Sequence, residues 1–279
     1  MEKNDSREQA RHSEQRVLKS LHKMGWLRTR DLAALHWMPR QKGGPSFQPA
    51  VIEVTASARR MAQRTLRRLR QQNKVLWTQA PDGSLIYGLA EAGVRQLQDL
   101  GIPAKSGKDI VRRVSLSFFH HRRLANEITI SALLQGYRAS SEHEIAIGEW
   151  LGGKDDVDGK KPDVLVRSGK DVWWVEVERS RRNERDYEKL LTWLKTVWAP
   201  VRGSDNPAPL PEGHRLQKVV FVANNPFIER VCADLRNAGW SDSLIDKRIS
   251  SVQLLYVTEA KFIVIESGTG GAGPVIEET

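Results

Sequence analysis

Residues 161–180 read KPDVLVRSGKDVWWVEVERS. Val164, Leu165 and Val166 form a short apolar run, Ser168-Gly169-Lys170 is turn chemistry, and Val172 to Glu178 is a second run, so the stretch predicts a β-hairpin. Side chains alternate along a strand. Trp173, Val175 and Val177 therefore share one apolar face, while Val172, Trp174, Glu176 and Glu178 share the other. The returning strand starts apolar on both faces and ends with two carboxylates on one. Asp163 enters directly after Pro162, and the hairpin brings it back toward Glu176. Three acids converging on the end of an apolar hairpin suit a hard divalent cation, which takes oxygen ligands. The plainer alternative is that Glu176 and Glu178 are the solvated end of a half-exposed strand.

Pro162-Asp163, twelve residues, then Glu176-Val177-Glu178 resembles the PD-(D/E)xK nuclease signature, whose strand ends in E-x-K. Glu178 stands here in the lysine position, a departure from that pattern. Within the superfamily the chain is similar to the replication-relaxation group and the C class of plasmid-mobilisation relaxases, which place a winged helix ahead of such a domain.

The whole chain sets further bounds. Its 279 residues suffice for two ordinary domains. Lys and Arg outnumber Asp and Glu by 44 to 34, for a net charge of +10, which favours a polyanionic partner, either nucleic acid or an anionic membrane surface. There is no apolar run of about 18 residues and no signal-peptide core, so neither membrane insertion nor secretion is expected. A single cysteine, Cys232, permits no internal disulfide and no thiolate zinc cluster, and a reducing cytoplasm fits.

Residues 1–13 are polar and lack apolar periodicity, and we read them as a disordered tail. From Glu14, Val17, Leu18, Leu21 and Met24 recur at helical spacing up to Gly25. Thr29 is placed to cap a second helix, and a loop containing Gly43, Gly44, Pro45 and Pro49 follows. A third helix is predicted from Thr55 to Asn73. Its stripe of Ala58, Met61, Ala62, Leu66 and Leu69 is flanked by Arg59, Arg60, Arg64, Arg67, Arg68 and Arg70, with no acid. Val75–Trp77, a Pro81-Asp82-Gly83 turn and Leu85–Tyr87 predict a hairpin, and Ala90 to Leu100 a fourth helix. This order predicts a winged helix-turn-helix over 14–101, with its third helix in the major groove and the turn at 81–84 against phosphate or minor groove. Eighteen of the basic residues but only nine of the acids lie in residues 1–100. The arginine-rich helix therefore points to double-stranded DNA, with protein docking as the alternative for this half.

Residues 102–114 read as a linker. From Ser115 to Tyr137 a helix is predicted on which Leu124, Ile128, Ser131 and Leu134 share a face with Glu127; an acid on an apolar stripe needs a cation or a donor. The spacing His121, Leu124, Asn126, Glu127 also resembles the first core helix of the replication-relaxation group. Residues 144–150 (EIAIGEW) alternate as a strand would, and 152–160 form a charged turn. A helix near 183–198, a proline-rich loop over 199–213, a buried parallel strand at 218–223, a helix at 226–238 and strands at 252–257 and 262–266 complete the pattern. Residues 267–279, with four glycines, read as a second disordered tail.

The predicted fold class is α+β: an N-terminal winged helix-turn-helix, then an α/β restriction-endonuclease-like domain over 115–266. The resemblance implies a relaxase-like, Mg²⁺- or Mn²⁺-dependent endonuclease that nicks DNA at an origin of transfer or replication, with other mobilisation or replication proteins as further candidate partners. It implies Asp163 and Glu176 as metal ligands, Glu127 and Glu178 completing the set, His121 near the scissile phosphate, and Lys189 as the relocated lysine. The alternative is a catalytically inactive nuclease-fold protein that binds DNA as an accessory or regulator.

Overall fold

The computed structural model describes residues 2–50, 52–112, 114–178, 183–201, 204–258 and 261–266. It is an α+β chain with two sheets. The N-terminal half consists of α1 (Glu2–Met24), β1 (Leu27–Arg28), α2 (Thr29–Trp37), α3 (Ala56–Gln71), β2 (Val75–Gln79), β3 (Leu85–Leu89) and α4 (Glu91–Gln98). The short α5 (Lys108–Arg112) leads into α6 (Leu116–Leu134). Then come β4 (Arg138–Ser140), α7 (Glu142–Ala146), β5 (Val164–Ser168), β6 (Asp171–Val177) and α8 (Glu184–Trp198). The chain closes with β7 (Ala208–Leu210), β8 (His214–Val222), α9 (Asn225–Asn237), α10 (Asp242–Arg248), β9 (Ile249–Thr258) and β10 (Lys261–Glu266).

The first sheet is three-stranded, in the order β1-β3-β2. The second runs β10-β9-β8-β6-β5-β4, with β7 also paired to β8. Its β6–β8 and β8–β9 pairs are parallel and the others antiparallel. One face of this sheet carries Val164, Val166, Trp173 and Val175 and packs on Leu124, Ala125, Ile128 and Ala132 of α6. The other carries Leu165, Trp174, Val219 and Phe221 and packs on α7, α8, α9 and α10. Among the described residues no helix is long and apolar enough to cross a membrane.

Local chemistry explains where the elements depart from expectation. Residues 2–13 belong to α1 and are not a tail; Arg7, Glu8, Gln9, Ala10 and Arg11 form a run that loses little on entering a helix. The expected linker contains α5, whose Val111 is buried. The expected strand at 144–150 is not formed: its first three residues end the helix α7, which a capping box starts, and 147–150 are turn and coil. The Glu144 N–H donates to the Ser141 hydroxyl at 3.2 Å, and the Glu144 carboxylate accepts from the Ser141 N–H at 2.8 Å. Thr29 does not cap α2; the preceding N–H, that of Arg28, donates to the Asp31 carboxylate at 2.8 Å. The expected loop at 199–213 contains β7. Residues 267–279 lie outside the described residues.

Helix α6 joins the halves. Opposite its sheet-facing side, Ile130 joins the core of α1, α2 and α3, and Phe119 stacks on buried Trp26 at 5.5 Å. The same side presents Glu127, which pairs with Arg28 and Arg30. Arg28 also donates to Asp31. Burial opposes the charge of Arg28, but Asp31 and Glu127 outweigh it and raise the guanidinium pKa. One turn away, Arg123 pairs with Asp82 of the β2–β3 turn. The α2–α3 loop crosses in the other direction, with Phe47 packed on Tyr137 and Trp173 of the second sheet. Breaking one member of a buried charge cluster leaves its partners unsatisfied. We therefore expect Glu127→Ala to lower unfolding free energy by about 3 kcal/mol or more in urea titration. A loss under about 1 kcal/mol would show that the cluster does not hold the two halves together.

Candidate active site

The β5–β6 hairpin pairs Val164 with Val175 and turns at Gly169. Extending that register by one residue sets Asp163 beside Glu176, and the Asp163 N–H donates to the Val175 carbonyl at 3.0 Å. Asp163 Oδ2 accepts from the Val177 N–H at 2.7 Å, and Oδ1 lies 3.1 Å from His121 Nε2. His121 reaches it from the first turns of α6, so a residue 42 positions away closes over the hairpin end. Burial pushes the Asp163 carboxyl well above the ordinary carboxylate range; the nearby charge of Glu176 pushes it further, against the pull of the Val177 N–H.

Glu176 is 1% exposed. Its Oε1 accepts from the Trp174 indole at 2.7 Å, and its Oε2 lies 2.8 Å from the Lys160 ammonium. Lys160 was not singled out by its sequence, and the local structure shows how it gets there. Val157 and Lys160 close a two-residue turn through reciprocal backbone hydrogen bonds of 2.9 and 3.2 Å. Its central residues, Asp158 and Gly159, both have positive φ, 53° and 82°. Asp-Gly is the dipeptide such a turn prefers, because both positions need left-handed backbone. The turn is anchored where the Trp193 indole donates to the Val157 carbonyl at 3.0 Å. Lys160 leaves it with its ammonium 6.0 Å from the centre of the Trp193 ring and its side chain 15% exposed.

The other predicted residues fall elsewhere. Glu178 is buried beyond the end of β6, its N–H bonded to the Val222 carbonyl at 2.8 Å. Glu127 faces Arg28 and Arg30 on the far side of α6, not the hairpin. Lys189 is largely exposed and pairs with Asp186 at 3.1 Å. It does line, with Lys160, Arg185 and Trp193, an open cleft of about 620 Å³. Of the predicted DNA-reading arginines, Arg59, Arg60, Arg64 and Arg67 are exposed on α3. Arg68 turns inward to Glu14 of α1 at 2.8 Å. The turn at 81–84 is tied to α6 through Asp82. Burial raises the pKa of Tyr137, bonded to the Gly44 carbonyl at 2.8 Å, and of Tyr187, bonded to Asp234 at 2.6 Å, so neither is set up as a nucleophile.

Among the described residues no group of three His, Cys, Asp or Glu side chains converges to hold a metal. The four-acid ligand set implied by the resemblance is therefore not assembled. What is assembled is a pair of adjacent carboxylates whose mutual repulsion a cation would relieve. Magnesium is commonly held by one or two carboxylates, with water and substrate phosphate filling the remaining positions. Asp163 and Glu176 fit that smaller role.

A family model described as replication-relaxation matches residues 18–193, a stretch that includes the basic helix α3, Lys160 and both carboxylates. No curated protein and no solved structure matches the chain.

The raised pKa of Asp163 makes its charge a cost to the fold. A carboxyl whose folded pKa lies above its unfolded value destabilises once pH exceeds the unfolded value, and does nothing below it. In metal-free buffer, Asp163→Asn should therefore raise the melting temperature at neutral pH. The gain should vanish as pH falls below the ordinary carboxylate value of 3.8. Differential scanning calorimetry at several pH values measures this, and a variant less stable than wild type at pH 7 contradicts it.

Proposed function

This chain belongs to the replication-relaxation family, and we propose that it binds double-stranded DNA and cleaves one strand with Mg²⁺ or Mn²⁺ during replication or plasmid mobilisation. In this reading the N-terminal half is a winged helix-turn-helix and the second half a restriction-endonuclease-like domain. The observation that carries the reading is Lys160 on Glu176 at 2.8 Å, with Asp163 in register beside it. Two acids and a lysine are thereby gathered at one end of a hairpin although Glu178 fills the strand position where the lysine is expected.

Each residue has a distinct task. Asp163 and Glu176 would hold the cation, and Glu178 would add charge behind them. A bound Mg²⁺ or Mn²⁺ supplies hydroxide from water and neutralises charge on the phosphate. His121 fixes the orientation of Asp163 through Oδ1. The Lys160 ammonium offsets negative charge building on the phosphate and orients the attacking water, the role a lysine two residues along the strand would otherwise have. Arg59, Arg60, Arg64 and Arg67 position the duplex through its phosphates and groove.

A second reading keeps DNA binding and drops the chemistry. It is favoured by the closed Lys160–Glu176 pair, which satisfies both charges without a cation. The two readings separate in a nicking assay on supercoiled plasmid carrying the cognate site. Asp163→Ala and Glu176→Ala should abolish Mn²⁺-dependent nicking, and Lys160→Met should slow it by about 100-fold or more, all three retaining DNA affinity. Arg64→Ala with Arg67→Ala should instead weaken binding and flatten its salt dependence by about 0.9 logarithmic units for every phosphate no longer neutralised. Nicking that persists at the wild-type rate in the three site variants would falsify the active-site assignment.

A further inference from the structure

The edge of the second sheet carries an arginine cluster that the active-site geometry does not use. Arg138 of β4 and Arg167 of β5 are direct cross-strand partners. Like charges placed opposite each other on one face of a sheet are destabilising unless something of opposite sign lies between them. Among the described residues neither has an ion-pair partner, and the Arg167 Nε is buried without an acceptor. Both line an open cleft of about 470 Å³, together with Arg40 and Lys23.

The cleft is held in shape by the backbone. Gly136 has φ +85°, and a Cβ there would lie 2.6 Å from the Gln41 carbonyl oxygen and 2.8 Å from the Gly43 nitrogen. The Gln41 N–H donates to the Leu134 carbonyl at 2.7 Å. Arg40, at the head of the segment leading to α3, is thus pinned beside the start of β4. Lys23 forms a wall: its ammonium donates to the Ala139 carbonyl at 2.7 Å and pairs with Glu144 at 3.3 Å. Glu149 is the other acid lining the cleft.

We infer that this cleft seats a backbone phosphate of the DNA bound by α3, held by the guanidinium groups of Arg40, Arg138 and Arg167. A phosphodiester suits the three guanidinium groups that line this one cleft, because each presents paired N–H donors to anionic oxygens. The seat is separate from the carboxylate pair: Arg167 is four residues along β5 from Asp163, about 13 Å at strand rise. It lies where the two halves meet, so the duplex is gripped by α3 and again at the sheet edge, and its angle to the hairpin is fixed by two contacts. The inference rests on the DNA-binding reading above, not on the nicking reading.

Fluorescence anisotropy on one labelled duplex across a salt series tests it, with wild type, Arg138→Ala/Arg167→Ala and Arg64→Ala/Arg67→Ala compared. The cleft variant should bind more weakly, with a salt slope shallower by about 0.9 for each phosphate left unneutralised. Its melting temperature should equal or exceed that of wild type, since a like-charge pair is removed; the single Arg138→Gln variant, altered at an exposed position, gives the same readout should the double variant unfold. Wild-type affinity and slope in the cleft variant, with a weakened α3 variant, overturn the phosphate seat and leave DNA binding by α3 intact. Wild-type binding by both variants overturns the DNA reading of α3 and the seat together.

Discussion

The contact of Glu127 with Arg28 and Arg30 fixes how the two halves of this molecule meet. A buried ion cluster contributes little net stability, since desolvation offsets most of the attraction, but a misplaced partner is heavily penalised. That asymmetry makes the cluster a registration device. A slide of α6 along α2 by one turn would leave Glu127 among apolar neighbours and both arginines without their acid. Arg123, one turn earlier, adds a second fixed point by holding Asp82 of the β2–β3 turn. Because α6 also carries His121 to Asp163, the basic helix and the carboxylate pair are related through a single rigid element. In the proposed DNA-binding reading, a contact made by one half would thereby set the position of the other.

Position 178 carries no lysine, but the Lys160 ammonium stands beside Glu176 in space. A chain can bring an ammonium to a strand-end carboxylate from any loop that is rigid enough. The Asp158-Gly159 turn supplies that rigidity, and Trp193 holds it from below. Trp174 completes the arrangement by giving the other oxygen of Glu176 an indole donor. Glu176 is therefore held on both oxygens, and its orientation is fixed.

The hairpin was legible because its pattern is local: alternation, a glycine turn and a terminal pair of acids specify register without reference to the rest of the chain. The basic helix was legible for the same reason, and its Thr55 cap accepts from the Ala58 N–H at 3.2 Å. Helix α6 was only half legible. Its apolar residues fall on two faces, one for each half, so a single stripe cannot be drawn and Glu127 was assigned to the wrong side. Lys160 was hidden because its role depends on a turn folding back over β6, a contact between loop and strand that composition does not encode. The segment at 144–150 has strand-like alternation, but Ser141 and Glu144 carry the capping signature that decides for helix, and that signature begins three residues before the alternation does.

The resting electrostatics of the site carry a further consequence for how it would work. Asp163 is disfavoured as an anion by burial and by Glu176, while Glu176 is neutralised by Lys160. A divalent cation held by Asp163 and Glu176 would compete with Lys160 for Glu176, since two positive charges on one carboxylate repel each other. In the proposed reading a bound cation would loosen the lysine from Glu176, and Lys160 would then be available to an anionic phosphate. If that reading holds, the ion pair that closes the site at rest would also be what keeps Lys160 within reach of the reacting group.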